Sequence, residues 1–139
     1  MIELILSGTP VPAARPRVTR FRTYNPKQKE MQRIKNEISS IFGREPLTCP
    51  LAVYFRFFMQ IPRSLSKTKR EYLASGPCTK RPDIDNLLKM YLDAMNELVY
   101  KDDSQIYSVD SIKVYSFEPR VEIGIVEYPK EGVFYGKTK

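Results

Sequence analysis

The run Leu51 to Ile61, LAVYFRFFMQI, constrains this chain most: it reads as a β-strand whose aromatic and branched side chains need burial. Pro62 closes it. An earlier strand spans Ile2 to Ser7 and ends at Gly8-Thr9-Pro10-Val11-Pro12. Pro26 opens a predicted helix to about Phe42, with Met31, Ile34, Ile38, Ile41 and Phe42 as its apolar stripe and Gly43 and Pro46 as its stop. A short basic helix with Lys67, Lys69 and Arg70 is expected within Ser64 to Ser75, ahead of Gly76-Pro77. A further helix starts near Asp83 or Asp85 and carries Leu88, Tyr91, Leu92 and Met95 at spacings of three and four. Gln105 to Ser116 and Arg120 to Tyr128 alternate apolar and polar residues around Phe117-Glu118-Pro119, the pattern of a terminal hairpin. After Tyr128, Val133, Phe134 and Tyr135 are the apolar residues available for packing. This order implies an α/β (α+β) fold: one domain over residues 1–139, with a mixed β-sheet of about four strands covered by two to three helices. A chain of this size buries on the order of 70% of its unfolded surface, enough for a core.

All six aspartates fall between Asp83 and Asp110, and four of them form the pairs Asp83/Asp85 and Asp102/Asp103. The chain around them is basic, with 23 Lys and Arg against 16 Asp and Glu and a net charge of +7. Carboxylates packed this densely repel one another unless a cation neutralises them. Oxygen-only ligands suit Mg²⁺, which keeps waters and substrate phosphates in its shell. Each acidic residue also has a plainer reading. One aspartate after Pro82 caps a helix, Lys-Asp-Asp-Ser is good turn chemistry, and Lys89 makes an ordinary i,i+4 ion pair. The set taken together exceeds what capping requires. Asp93 lies mid-helix without a paired carboxylate neighbour.

There is no histidine, which excludes Ser-His-Asp and Cys-His catalysis and histidine-bound zinc. Proton transfer falls to carboxylate, Lys, Tyr or metal-bound water. Cys49 and Cys78 are too few for a disulfide scaffold, so reduced thiols in the cytoplasm are expected. No stretch approaches the roughly 20 apolar residues of a membrane span, and the N-terminus lacks the features of a signal peptide, so no membrane role is expected. The positive charge points to a polyanionic partner.

Arg81, Pro82, Asp83, Asp85, Asn86, Leu87 and Lys89, then Leu92, Asp93 and Ala94, then Tyr100, Lys101, Asp102, Asp103, Ser104 and Gln105, form an ordered string that resembles the RusA family of Holliday-junction resolvases. Pro10-Val11-Pro12 with Arg15-Pro16-Arg17 is similar to the opening of phage-type and bacillus-type members. The resemblance implies a homodimeric, Mg²⁺-dependent endonuclease that nicks opposing strands of four-way or otherwise branched DNA during recombination and repair. It also implies a bacterial or prophage-encoded protein associated with the nucleoid. The family's essential carboxylates fall on Asp83, Asp85 and Asp103, with Asp102 also implicated, and its functional lysine on Lys89. This makes Asp83, Asp85 and Asp103 the expected metal ligands. One departure is visible: many members place Gly near the end of the third helix, where this chain has Asn96-Glu97.

Arg15, Arg17, Arg20 and Arg22, interleaved with Phe21 and Tyr24, are candidate DNA contacts together with Lys80 and Arg81; the plainer reading is a solvated basic surface. A helix from Asp85 to Val99 would be about 22 Å long. The two acidic pairs could then meet only across an antiparallel dimer. A stop near Asn96 leaves a longer return segment, which is expected to close the site within one chain. Two other functions fit the residues: a metal nuclease acting on forks, flaps or RNA, and a non-catalytic DNA-binding module whose aspartates only cap and turn.

Overall fold

The computed structural model describes residues 1–14 and 27–129, together with the backbone of Arg17–Val18 and Thr23–Tyr24. The elements are β1 (Ile2–Ser7), the two-residue strands β2 (Arg17–Val18) and β3 (Thr23–Tyr24), α1 (Gln28–Phe42), β4 (Leu51–Gln60), α2 (Lys67–Leu73), α3 (Ile84–Met95), β5 (Ile106–Ser116) and β6 (Arg120–Glu127). A 3-10 turn over Asp103–Gln105 precedes β5.

The apolar run at Leu51 lies inside a four-stranded mixed sheet of order β1-β6-β4-β5. Leu51, Val53, Phe55, Phe57 and Met59 point to the covered face and are buried, while Tyr54 and Arg56 alternate onto the other face. Phe55 and Phe57 stack at 5.5 Å, and Phe57 meets Tyr91 of α3 at 5.9 Å. Burying side chains of this size is worth about 2 kcal/mol each. β1 contributes Leu4 and Leu6 to the same core, and β6 contributes Val121, Ile123 and Ile125.

α1 and α3 pack together over this face. Ile34, Ile38 and Phe42 are the buried stripe of α1, whereas Ile41, expected in the stripe, is 44% exposed. Gly43 ends α1 in the left-handed conformation at φ 54°, where its N–H reaches the Ser39 carbonyl oxygen at 3.0 Å. α3 buries Leu87, Met90, Tyr91, Ala94 and Met95.

The terminal hairpin does not form. β4 lies between β5 and β6, parallel to the first and antiparallel to the second. The Phe117-Glu118-Pro119 segment therefore passes over the end of β4 instead of joining neighbouring strands. The parallel β4–β5 pair needs a crossover connection, and α2 and α3 supply it. α3 is thereby laid against the sheet with one end at Pro82 and the other at Tyr100.

Candidate functional site

Asp83 occupies the N-cap position of α3, extended at φ −70° and ψ 150°, yet its carboxylate makes no capping hydrogen bond. Asp85, in the first turn, accepts from the Asn86 backbone N–H at 2.9 Å. Both side chains are exposed. The plainer reading of Asp83 as a cap therefore does not hold, and its oxygens are uncommitted.

Neighbouring segments fix this helix start. Lys113 of β5 donates its ammonium to the Lys80 and Pro82 carbonyl oxygens, both at 2.6 Å. The Ala13 N–H reaches the Asn86 carbonyl at 3.0 Å, and the Val11 N–H reaches the Tyr91 hydroxyl at 3.0 Å. The loop after β1 thus runs along α3 from Tyr91 to its first turn, where Ala13 meets Asn86. Arg15, Arg20 and Arg22 lie outside the described residues; of Arg17 the backbone is placed, in β2. Lys80 and Arg81 are exposed and lead directly into Asp83.

The second acidic pair stands at the other end of α3. Tyr100 is wholly buried and its hydroxyl donates to the Leu92 carbonyl oxygen at 2.5 Å. Burial first, and then the charges of Asp103, Asp93 and Asp102, push its ionisation far above the usual tyrosine value. The two adjacent aspartates do different things. Asp102 caps the 3-10 turn, accepting from the Ser104 N–H at 3.0 Å. Hydrogen bonds from the Ser104 side chain and backbone hold its carboxyl below the ordinary aspartate value. Crowding by Asp103 does not raise it. The Asp103 carboxylate has no hydrogen bond or ion pair among the described residues and is exposed.

Gln105 completes the capping box. Its side-chain oxygen accepts from the Asp102 N–H at 2.8 Å, and its amide nitrogen donates to the Leu47 and Cys49 carbonyls at 2.9 and 3.0 Å. Sequence reasoning gave Gln105 no role, although the Asp-x-x-Gln spacing is the signal for it. Lys89 turns forward to Asp93 at 3.4 Å, away from Asp85; with the side chains 66% and 47% exposed, the pair is worth a few tenths of a kcal/mol.

The expected early stop of α3 is real: Met95 is its last residue and Asn96 its C-cap. Glu97 then takes φ +70° and donates to the Tyr100 carbonyl oxygen at 2.7 Å. A left-handed residue stands where the family resemblance anticipated glycine. The return segment does not close the site, however, because Asn96 to Tyr100 turns across the end of α3. The 12 residues of α3 separate Asp83 from the Tyr100 end by about 18 Å. The strand gives a similar figure, since Lys113 beside Pro82 is seven residues, about 23 Å, along β5 from Ile106.

Exposed, uncommitted carboxylates are the right donors for a hard cation. Within one chain, though, Asp83 and Asp85 do not converge with Asp103. No group of three or more His, Cys, Asp or Glu among the described residues is placed to hold a metal ion. The groove of about 700 Å³ on the outer sheet face is lined by Ile5, Tyr54, Arg56, Asp110 and Ile112 among others, and by neither acidic pair. The uncommitted carboxylates are at the surface, open to a large partner.

No helix among the described residues is long and apolar enough to cross a membrane. A protein of Bacillus subtilis strain 168, the uncharacterized YqaN, is 33% identical over 137 residues, covering 91% of this chain and 96% of its own length. The crossover junction endodeoxyribonuclease rusA of Lactococcus phage r1t is 36% identical over 97 residues, 69% of this chain and 66% of that protein. The family model for endodeoxyribonuclease RusA matches residues 7–126, which include both acidic pairs, the arginine segment, β4, β5 and nearly all of β6, and the chain belongs to the RusA family of endodeoxyribonucleases.

Proposed function

We propose that two copies of this chain form a Mg²⁺-dependent endonuclease that resolves four-way DNA junctions by paired nicks during recombination and repair. The observation that carries this reading is the division of the free carboxylates between the two ends of α3, with Asp83 unbonded at one and Asp103 at the other. A twofold axis that sets two α3 helices antiparallel brings the Asp83 and Asp85 end of one copy to the Asp103 end of the other. A C₂ pair does this twice, giving two equivalent sites for two opposing strands.

Nucleases of this family are generally metal-dependent. Asp83 and Asp85 of one copy and Asp103 of the other would hold Mg²⁺. The chemistry a bound cation supplies is an acidified water and neutralisation of the charge growing on the phosphate. Asp102 holds the turn that presents Asp103. Lys89 exchanges its weak bond to Asp93 for the scissile phosphate. Arg15, Arg17, Arg20 and Arg22 bind the DNA backbone, together with Lys80 and Arg81 beside Asp83. The relative from phage r1t, named for crossover-junction cleavage, supports the choice of substrate.

The test compares cleavage of a mobile four-way junction, a fork and a linear duplex of the same sequence, with Mg²⁺ and with EDTA. Symmetric cuts in the junction that need Mg²⁺ are expected. Equal cutting of all three substrates, or cutting in EDTA, would sink the reading.

A further inference from the structure

Four of the described cations that lack a carboxylate partner lie together around α2. Arg56 and Arg120 pair with Glu122, Lys27 with Glu30 and Lys89 with Asp93. Arg63, Lys67, Lys69 and Arg70 have no carboxylate partner among the described residues, although Glu71 and Glu118 belong to the same region. The Arg70 guanidinium lies over the Phe117 ring at 5.7 Å, and its Nε is buried without a hydrogen-bond acceptor. Tyr72 is 87% exposed, the highest of any large hydrophobic side chain described, and Phe117 is 52% exposed. Lys69 and Tyr72 are three residues apart and so share one face of the helix.

Ring faces set among unpaired cations suit a strand of nucleic acid: phosphates take the charge, and a base that has left its stack takes the ring. The position of α2 is equally specific. The segment after it pairs with the edge of β5 through Ser75 N–H to the Tyr115 carbonyl at 2.9 Å, Tyr115 N–H to the Gly76 carbonyl at 2.9 Å and Cys78 N–H to the Lys113 carbonyl at 3.0 Å. Lys113 in turn holds Pro82. From Cys78 to Asp83 the extended chain spans at most ~17 Å. α2 is therefore anchored to the Asp83 end of the sheet and not to the Asp103 end.

We propose that α2 and the segment between β5 and β6 form a second DNA contact, in which Arg63, Lys67 and Lys69 hold backbone phosphates beside the Asp83 end and Tyr72 stacks on an unpaired base. Arg70, propped on Phe117, adds charge beside Lys67, three residues before it on the helix. The contact rests on the reading of the protein as a nuclease of branched DNA, but on no assignment of its carboxylates.

Binding of the full-length protein in EDTA, where no cleavage is expected, tests it with a labelled four-way junction and a linear duplex of matching sequence. Lys67→Ala/Lys69→Ala should lower the slope of log K against log[salt] by about two units on both DNAs, with a control variant, Arg44→Ala, unchanged. Tyr72→Ala should weaken junction binding roughly tenfold and leave duplex binding intact, and Tyr72→Phe should restore it. A double-lysine variant with the wild-type affinity and slope overturns the phosphate contact. A Tyr72→Ala protein that matches wild type on the junction overturns the stacking. Wild-type protein that shows no preference for the junction overturns the underlying function instead, and that result is read without any variant.

Discussion

The Tyr100 hydroxyl and the Leu92 carbonyl oxygen, 2.5 Å apart, tie the turn that carries Asp103 to the last turn of α3. Gln105 ties the same turn to Leu47 and Cys49 from the other side. Asp103 is thus an exposed carboxylate on a rigid base, which suits a group that has to wait in place for a ligand.

Tyr100→Phe removes one of these ties and leaves the Leu92 carbonyl without its partner. A loss of about 1–3 kcal/mol in urea unfolding is expected. The pH dependence separates this tyrosine from the rest. Burial keeps Tyr100 neutral well above the ordinary value of 10, so above that value the unfolded chain loses its proton first and stability falls as pH rises. Wild type should lose up to about 1.4 kcal/mol per pH unit from this one group once pH exceeds 10. The Phe variant should lack that component, and parallel alkaline curves would refute the assignment.

Asp83→Asn and Asp103→Asn chains should each be inactive alone yet regain nicking when mixed. A mixed dimer contains one site with both aspartates intact and one site with neither. If each site were built within one chain, every site in the mixture would be defective. Nicked junctions measured against mixing ratio decide between the two, with recovery peaking near equal amounts.

Asp102 and Asp103 should separate under substitution. Asp103→Asn is expected to abolish cleavage while junction binding persists. Asp102→Asn retains an oxygen that can accept from the Ser104 N–H and should keep most activity. Asp102→Ala should lower both the melting temperature and the rate. Equal loss of cleavage in Asp102→Asn and Asp103→Asn, at unchanged stability, would contradict this division.

Glu97 holds a left-handed backbone at φ +70° without glycine's freedom. Glu97→Gly should therefore stabilise the fold by up to about 1 kcal/mol, because the strain removed exceeds the extra entropy of the unfolded chain. Equilibrium unfolding reads this directly, and a destabilised glycine variant would count against it.

Neutralising Arg15, Arg17, Arg20 and Arg22 together should flatten the salt dependence of junction binding by up to about one unit of slope per lost contact. An unchanged slope in the fourfold Arg→Ala variant would reduce the segment to a solvated surface.

Local patterns located most elements because their signals are local. Gly43 after Phe42, Pro62 after Ile61 and the three-and-four spacing of Leu88, Tyr91, Leu92 and Met95 all speak about their own neighbours. The hairpin failed for the complementary reason: alternation in residues 105–128 reports two strands and a reversal between them, while the insertion of β4 is decided by strand pairs some fifty to seventy residues apart in sequence. The acidic string identified the residues of the candidate site but not their distances. Stopping α3 at Met95 left enough chain to return to Asp83, yet the burial of Tyr100 and the clamp of Gln105 spend that length at the far end of the helix. The role of Gln105 is legible in its spacing from Asp102, the Asp-x-x-Gln of a capping box.

The length of α3 has a kinetic meaning if the cutting centre is shared between copies. A newly made chain is harmless to DNA until it meets another, so below the dissociation constant the rate of cutting rises with the square of concentration. A cell with a few stray molecules would experience almost no cleavage, and a small rise in synthesis would switch it on steeply. Eighteen ångströms of helix, about the length of three turns, would then act as a safety catch set by the number of molecules present.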